Sequence, residues 1–181
     1  MKELLDEALR QGAFKAAFLQ PEQIMLSADF RAICASNQCG SFGRCWMCPP
    51  SIGPIDALMA EVRRYPHSLL YQTVSAIEDS FDIEGMFAAG NAHAQMSQRL
   101  HAHAKVLLKA PFLHLTCGGC HLCAVCAKRA NEPCRHPDHA LPSLEGYGVD
   151  VYRTAASAGL SYVNGQNTVT YFGMILFGEC V

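Results

Sequence analysis

Nine of the ten cysteines in this chain of 181 residues fall in two short stretches, and thiols at such spacing are metal ligands or redox groups before they are anything else. The denser stretch is Cys117-Gly118-Gly119-Cys120-His121-Leu122-Cys123-Ala124-Val125-Cys126, followed by Pro133-Cys134-Arg135. A Cys-x2-Cys-x2-Cys run wraps the chain so that three thiolates converge, while a fourth arrives from farther along. A 4Fe–4S cubane is held in this way. Two phases satisfy the pattern: Cys120, Cys123, Cys126 and Cys134, or Cys117, Cys120 and Cys123 with Cys134. The second stretch runs from Cys34 through Cys39 and Cys45 to Cys48-Pro49-Pro50 and contains Gly40, Gly43 and Trp46. Thiolate shells use glycine because amide N–H groups must approach the sulfurs. Proline just after a ligand sets the exit direction of the chain. The expectation is a second metal-binding loop, with Trp46 either a lid over it or a core side chain.

Zinc is the rival metal. A structural zinc takes four tetrahedral ligands, commonly two Cys-x2-Cys knuckles. Cys45-x2-Cys48 and one knuckle from 117–126 would supply them. A third cysteine at another x2 step is surplus to a knuckle and natural in a cubane. Spacing therefore favours 4Fe–4S at 120–134 and leaves 34–48 even between the two.

Composition narrows the setting. Half the residues are apolar and the net charge is −2, so a core of useful size is available and no basic face offers itself to nucleic acid. No apolar run reaches the ~18–20 residues of a membrane span. Met1-Lys2-Glu3-Leu4-Leu5-Asp6 lacks the apolar segment of a signal peptide. A cytoplasmic chain is expected, where cellular reductants keep thiols open, so clustered cysteines point to metal rather than disulfides.

The elements that must position these loops read as α+β, in one domain over 1–181: an antiparallel or mixed sheet covered by helices, with cysteine loops at 34–50 and 117–137. Apolar periodicity predicts helices over about 2–18, from Pro54 to Pro66, and over about 83–109. A further helix over about 151–158 has Asp150 as its cap and Gly159 after it. Strands are expected near 24–33, at 68–75, and at 112–116 running straight into the cysteines. A hairpin over 161–177 would turn at Asn164-Gly165. Leu141 to Glu145 reads as a helical turn.

The ordered motifs resemble a known family. Cys34…Asn37-x-Cys39-Gly40…Trp46-x-Cys48-Pro49-Pro50 comes first, then Glu78-Asp79-Ser80-Phe81-Asp82, then Gly118-Gly119-Cys120-x2-Cys123-x2-Cys126…Pro133-Cys134-Arg135. Ser143-x-Glu145-x-Tyr147-Gly148-x-Asp150 and Asn167-Thr168-Val169-Thr170-Tyr171-Phe172-Gly173 complete the set. Together they are similar to a prokaryotic family described only as predicted metal-binding proteins, over nearly the whole chain after residue 24. The resemblance implies metal binding by Cys34, Cys39, Cys48, Cys120, Cys123, Cys126 and Cys134. Cys45 and Cys117 depart from the family pattern, which favours the later of the two phases.

The remaining candidates are weaker. His101 and His103 are two apart and point to different helix faces, and His93 and His101 align only loosely, so a solvated face is expected. His121, between two cysteines, could tune or replace a ligand, and His136 or His139 could donate protons. Asp82, with Glu78 and Asp79, reads as a helix cap. Glu145 and Tyr147 are the best acid/base candidates should there be a substrate, and neither has a visible partner in the sequence. Cys180 reads as a lone thiol. No phosphate loop, dinucleotide fingerprint or nucleophile elbow is present. The expected function is an iron–sulfur protein with one or two 4Fe–4S clusters, moving electrons as a carrier or as part of an oxidoreductase. Its counterpart would be a redox partner protein or a small-molecule substrate, without nucleic acid or membrane. The alternatives are a zinc-stapled interaction protein and a metal or redox sensor.

Overall fold

A computed structural model describes residues 1–178, so Cys180 lies outside the described residues. Among the described residues nine elements follow one another: α1 (Lys2–Arg10), β1 (Lys15–Leu19), α2 (Phe30–Ala35), α3 (Ile55–Arg63), β2 (His67–Ala76), α4 (Ile83–Leu108), β3 (Phe112–Leu115), α5 (Val151–Ser157) and β4 (Thr168–Phe177). Short 3-10 turns cover Pro21–Gln23, Ala127–Ala130 and Glu145–Tyr147. The fold is α+β, and the four strands pair in the order β1-β2-β4-β3, every pair antiparallel.

Period-two alternation divides the sheet between two cores. Leu70, Phe172, Met174 and Leu176 face one side, where Leu58 and Val62 of α3 and Val151 and Ala155 of α5 close over them. Leu69, Tyr71, Ile175 and Phe177 face the other, under Leu4 and Ala8 of α1 and Met96, Leu100 and Ala104 of α4. Each fully buried aliphatic side chain contributes ~1.5–3 kcal/mol, so the sheet is a rigid floor independent of the cysteines. No helix among the described residues is long and apolar enough to cross a membrane.

Local signals hold where the chain itself makes the decision. The Asp82 carboxylate accepts from the Gly85 N–H and starts α4, and Asp150 accepts from the Arg153 N–H and starts α5. Gly159 adopts φ +68° after α5, the left-handed turn that glycine allows. Three expectations are corrected. The first helix stops at Arg10, because Gly12 turns at φ +113°, and Lys15–Leu19 becomes an edge strand beside β2. The strand expected near 24–33 is absent: Leu26 makes one bridge to Val149, and Phe30 onward is helix α2. The expected hairpin over 161–177 is a single strand, β4, whose neighbours are β2 and β3 rather than 161–163. Ten consecutive pairs with β2, from His67–Phe177 to Ala76–Thr168, outweigh a local turn at Asn164-Gly165.

Candidate metal centre

Both cysteine loops leave the same end of the body. The first follows α2, and the second follows β3 through Thr116, whose N–H donates to the Pro142 carbonyl while its own carbonyl accepts from the Leu144 N–H. Those bonds bring 141–147 back alongside the cysteines. Gly118 turns at φ +65°, Gly40 at +71° and Gly43 at +67°, backbone positions where a Cβ is strained. The two loops then touch. A Cβ on Gly119 would stand 3.4 Å from the Cys48 sulfur, so the absence of a side chain there lets the second loop lie on the first. The Trp46 indole N–H donates to the Glu132 carbonyl at 2.9 Å. The Lys128 ammonium sits 4.1 Å from the centre of the Trp46 ring, a cation–π contact. Trp46 is thus a tie between loops 86 residues apart and a wall of the cavity they enclose, rather than a core tryptophan.

That cavity, of about 20 Å³, is lined by Cys45, Cys120, Cys123, Cys126 and Cys134, with Trp46, Leu122 and Ala127 around them. Cys45, which departs from the family pattern, therefore lines the cavity of the distant cysteines. Cys34, Cys39 and Cys48 instead line a second pocket of about 280 Å³, with Ser41, Ser143 and Glu145, and with Ile33, Phe42 and Pro49 as apolar walls. Cys45 and Cys48 connect the two spaces: the Cys48 thiol hydrogen-bonds to the Cys45 sulfur. Cys117 lies elsewhere, in a third hollow with Thr116, Cys120, His121 and Tyr171.

The electrostatics identify what the loops lack. Burial pushes the Cys120 thiol up, as it does Cys34, whose neighbours Glu145 and Cys39 add to the effect. Burial, then the Glu145 carboxyl, raise Cys117 to about 12. Cys48 is held well above the thiol range because it keeps the proton it shares with Cys45, and Cys45 is pulled down by the same bond. The N–H groups of Met47 and Cys120 also aim at the Cys45 sulfur, and that of Leu122 at the Cys120 sulfur. A cation between these sulfurs reverses the repulsion and releases their protons. Donor chemistry and N–H···S bonds therefore fit a thiolate-bound metal group. Among the described residues no three Cys, His, Asp or Glu side chains close on one point tightly enough for a single ion. The sulfurs surround a space instead of converging on its centre.

Glu145 faces the three-cysteine pocket, its carboxylate accepting from the Gly118 N–H, and burial pushes its carboxyl up. Tyr147 does not join it. Its hydroxyl pairs with Glu61 on α3, so the two acid/base candidates face different partners from one turn. His136 lines the five-cysteine cavity, while exposed His121 borders the Cys117 hollow. His139 is exposed, and its carbonyl accepts from Gln98. The solvated histidine face expected on α4 is overturned. His93 is 1% exposed and bonds Thr73 Oγ1 at 2.8 Å; His101 is half-buried against His114; and His103 lies half-buried near Glu7.

Fold and site define a small α+β protein in which two cysteine loops are pressed together at one end of an antiparallel sheet. The chain belongs to the family described as predicted metal-binding protein (DUF2284), which matches residues 17–177. The match agrees with the resemblance carried by the motifs. No curated protein and no solved structure is similar to it at a significant level.

Proposed function

We propose that this metal-binding protein is an iron–sulfur protein. Cys120, Cys123, Cys126 and Cys134 hold a 4Fe–4S cluster, and Cys45 is a fifth sulfur at the same cavity. Cys34, Cys39 and Cys48 form a second, more open metal site. The observation that carries this reading is that five cysteines from two remote loops line one cavity with backbone N–H groups aimed at their sulfurs. A cluster bound there would supply one-electron chemistry at a potential set by those N–H···S bonds and by burial. The chain's own part is to hold the sulfurs, to exclude water with Trp46 and Leu122, and to keep Glu145 at the neighbouring pocket. That pocket's size approaches the ~300 Å³ lower end for small-molecule sites, and the Glu145 carboxyl can give or take a proton there. A small-molecule substrate at this pocket, or a redox partner protein at the exposed loops, completes a cytoplasmic electron-transfer or oxidoreductase role.

The second reading is a zinc-stapled protein, and one observation favours it. The enclosed space of about 20 Å³ has room for about one water-sized body. A zinc ion would need its sulfurs drawn to ~3.8 Å of one another, whereas a cubane would need them pushed outward. Iron, zinc and acid-labile sulfide per chain, measured with the visible spectrum on protein purified without oxygen, decide between them. Brown protein with about four irons and four sulfides supports the cubane, and about eight of each makes the Cys34–Cys48 site a second cluster. Colourless protein with zinc and no sulfide sinks the redox reading.

A further inference from the structure

Between α4 and the sheet lies a row of hydroxyls and imidazoles that metal binding does not use. Helix α4 contributes Ser97 and His101, four apart and on one face. Strand β3 and the residue after it contribute His114 and Thr116, two apart and on one face. Tyr71 of β2 stands in the middle. Its ring has room because Gly173 is its direct partner on β4; a Cβ there would fall 2.2 Å from the ring.

The contacts run without a break. His101 Nε2 lies 3.3 Å from the Asp138 carbonyl at the surface, and His101 Nδ1 lies 3.3 Å from His114 Nδ1. His114 Nε2 lies 2.7 Å from the Tyr71 hydroxyl, which is 2.8 Å from Ser97 Oγ, which is 3.5 Å from Thr116 Oγ1. The Thr116 hydroxyl hydrogen-bonds to the Cys117 sulfur. Tyr71, Ser97, His114 and Thr116 are all at most 6% exposed.

Donor accounting allows this row two orientations on the same heavy-atom positions. In one, Tyr71 donates to Ser97, Ser97 to Thr116 and Thr116 to the sulfur. His114 then donates through Nε2 to Tyr71 and accepts at Nδ1 from His101. Because His101 also donates through Nε2 to Asp138, it carries both ring protons and is cationic. In the other orientation every bond points outward, Tyr71 donates to His114 Nε2, and both imidazoles are neutral. Leaving the sulfur out of the count, the two differ by one proton.

We propose that His101, His114, Tyr71, Ser97 and Thr116 form a proton relay between the surface and the Cys117 sulfur, at the edge of the cysteine loops. Starting from cationic His101 and a Cys117 thiolate, Thr116 gives its hydrogen to sulfur and takes one from Ser97. Ser97 takes one from Tyr71, Tyr71 from His114 Nε2, and His114 Nδ1 from His101. Each relay atom loses and gains one proton, His101 ends neutral, and Cys117 ends as a thiol. The groups facing His101 are Lys105 on its own helix, His139 from the loop and His114 from β3. Those facing His114 are His93 and His101 from α4 and Tyr71 from β2. Burial lowers both imidazoles, so the outward, neutral orientation is the resting one and an arriving proton reverses it. The relay depends on these contacts and not on which metal the loops hold.

The test is ¹⁵N-imidazole NMR of the full chain, purified without oxygen, across a pH titration. His114 should exchange an Nδ1–H for an Nε2–H as His101 becomes cationic. Tyr71→Phe, which keeps the ring, should leave His101 titrating while His114 holds one tautomer. Ser97→Ala cuts the row on the sulfur side of Tyr71. It should preserve the His114 exchange but uncouple Cys117, whose alkylation by iodoacetamide, read cysteine by cysteine in a mass spectrometer, follows the His101 titration only in the wild type. A wild-type His114 that keeps one tautomer throughout, or Cys117 alkylation unchanged in Ser97→Ala, overturns the proposal. A purely structural network would change stability and leave both readouts alone.

Discussion

The two cysteine groups differ more in surroundings than in chemistry. The five sulfurs of Cys45, Cys120, Cys123, Cys126 and Cys134 enclose a small space walled by Trp46 and Leu122, with amide N–H groups on the sulfurs and no carboxylate among the lining residues. The three sulfurs of Cys34, Cys39 and Cys48 border a pocket more than ten times larger, shared with Ser41, Ser143 and the Glu145 carboxyl, and Cys39 there is exposed. The first arrangement suits a group held and shielded from water. The second leaves positions that a ligand or substrate could fill. The lesson is that closure comes from the chain around a thiol: an amide donor, an indole or a glycine that permits close approach decides whether cysteines make a store or a working site.

The largest contrast should come from removing one sulfur on each side. Cys123→Ser is expected to abolish the metal of the closed cavity and to weaken folding with it, because a thiolate shell contributes to folding through its metal. Cys39→Ser should leave that metal in place and change only the open site. Metal per chain and chelator-induced unfolding check both; equal losses would erase the distinction between the regions. Next is the tie between them. Trp46→Ala removes the bond to Glu132 and the Lys128 contact, together ~1–3 kcal/mol. It should speed release of metal to a chelator about tenfold or more, with the sheet's amide-exchange protection unchanged.

Acid should separate the sheet from the loops. His93 is held down to about 4 by burial, against the Phe172 carbonyl that partly offsets it. Its folded pKa lies below the ordinary ~6.5 of the unfolded chain, so the unfolded state binds the proton first. Its contribution to stability is whole above pH ~6.5 and falls away toward pH 4. His93→Gln should flatten that part of the pH–stability curve of chelator-treated protein. The smallest effect is at the cap of α4: Asp82→Ala should cost ~1 kcal/mol in a denaturant titration and leave metal content untouched.

Much of this was legible in the chain. The Asp82 and Asp150 caps, the span of α4 and the strand entering the second loop follow from local periodicity and side-chain chemistry, and the structure keeps them. The edge strand at Lys15–Leu19 was hidden because alanine and leucine continue a helical stripe as readily as they alternate, and pairing with β2 made the choice. Cys45 departs from the family pattern, and spacing brought it to the second loop only in the zinc alternative, through Cys45-x2-Cys48; the structure turns it toward Cys120 and Cys126. The histidines of α4 were read as solvated because polar residues on a helix usually are. Only the sheet beneath, with Tyr71, Thr73 and His114 pointing upward, supplies the partners that let imidazoles be buried.

By itself the sequence determined that thiols would gather in two short loops. Cys-x2-Cys-x2-Cys spacing is a property of a few consecutive residues, as are caps, glycine turns and strand alternation. What only the tertiary structure decided is which thiols share a space. That depends on the return of 141–147 along Thr116, on the bare Gly119 against Cys48, and on Trp46 reaching Glu132. These contacts join segments far apart in the chain, whose meeting is set by the packed sheet beneath them and cannot be read from any one of them alone.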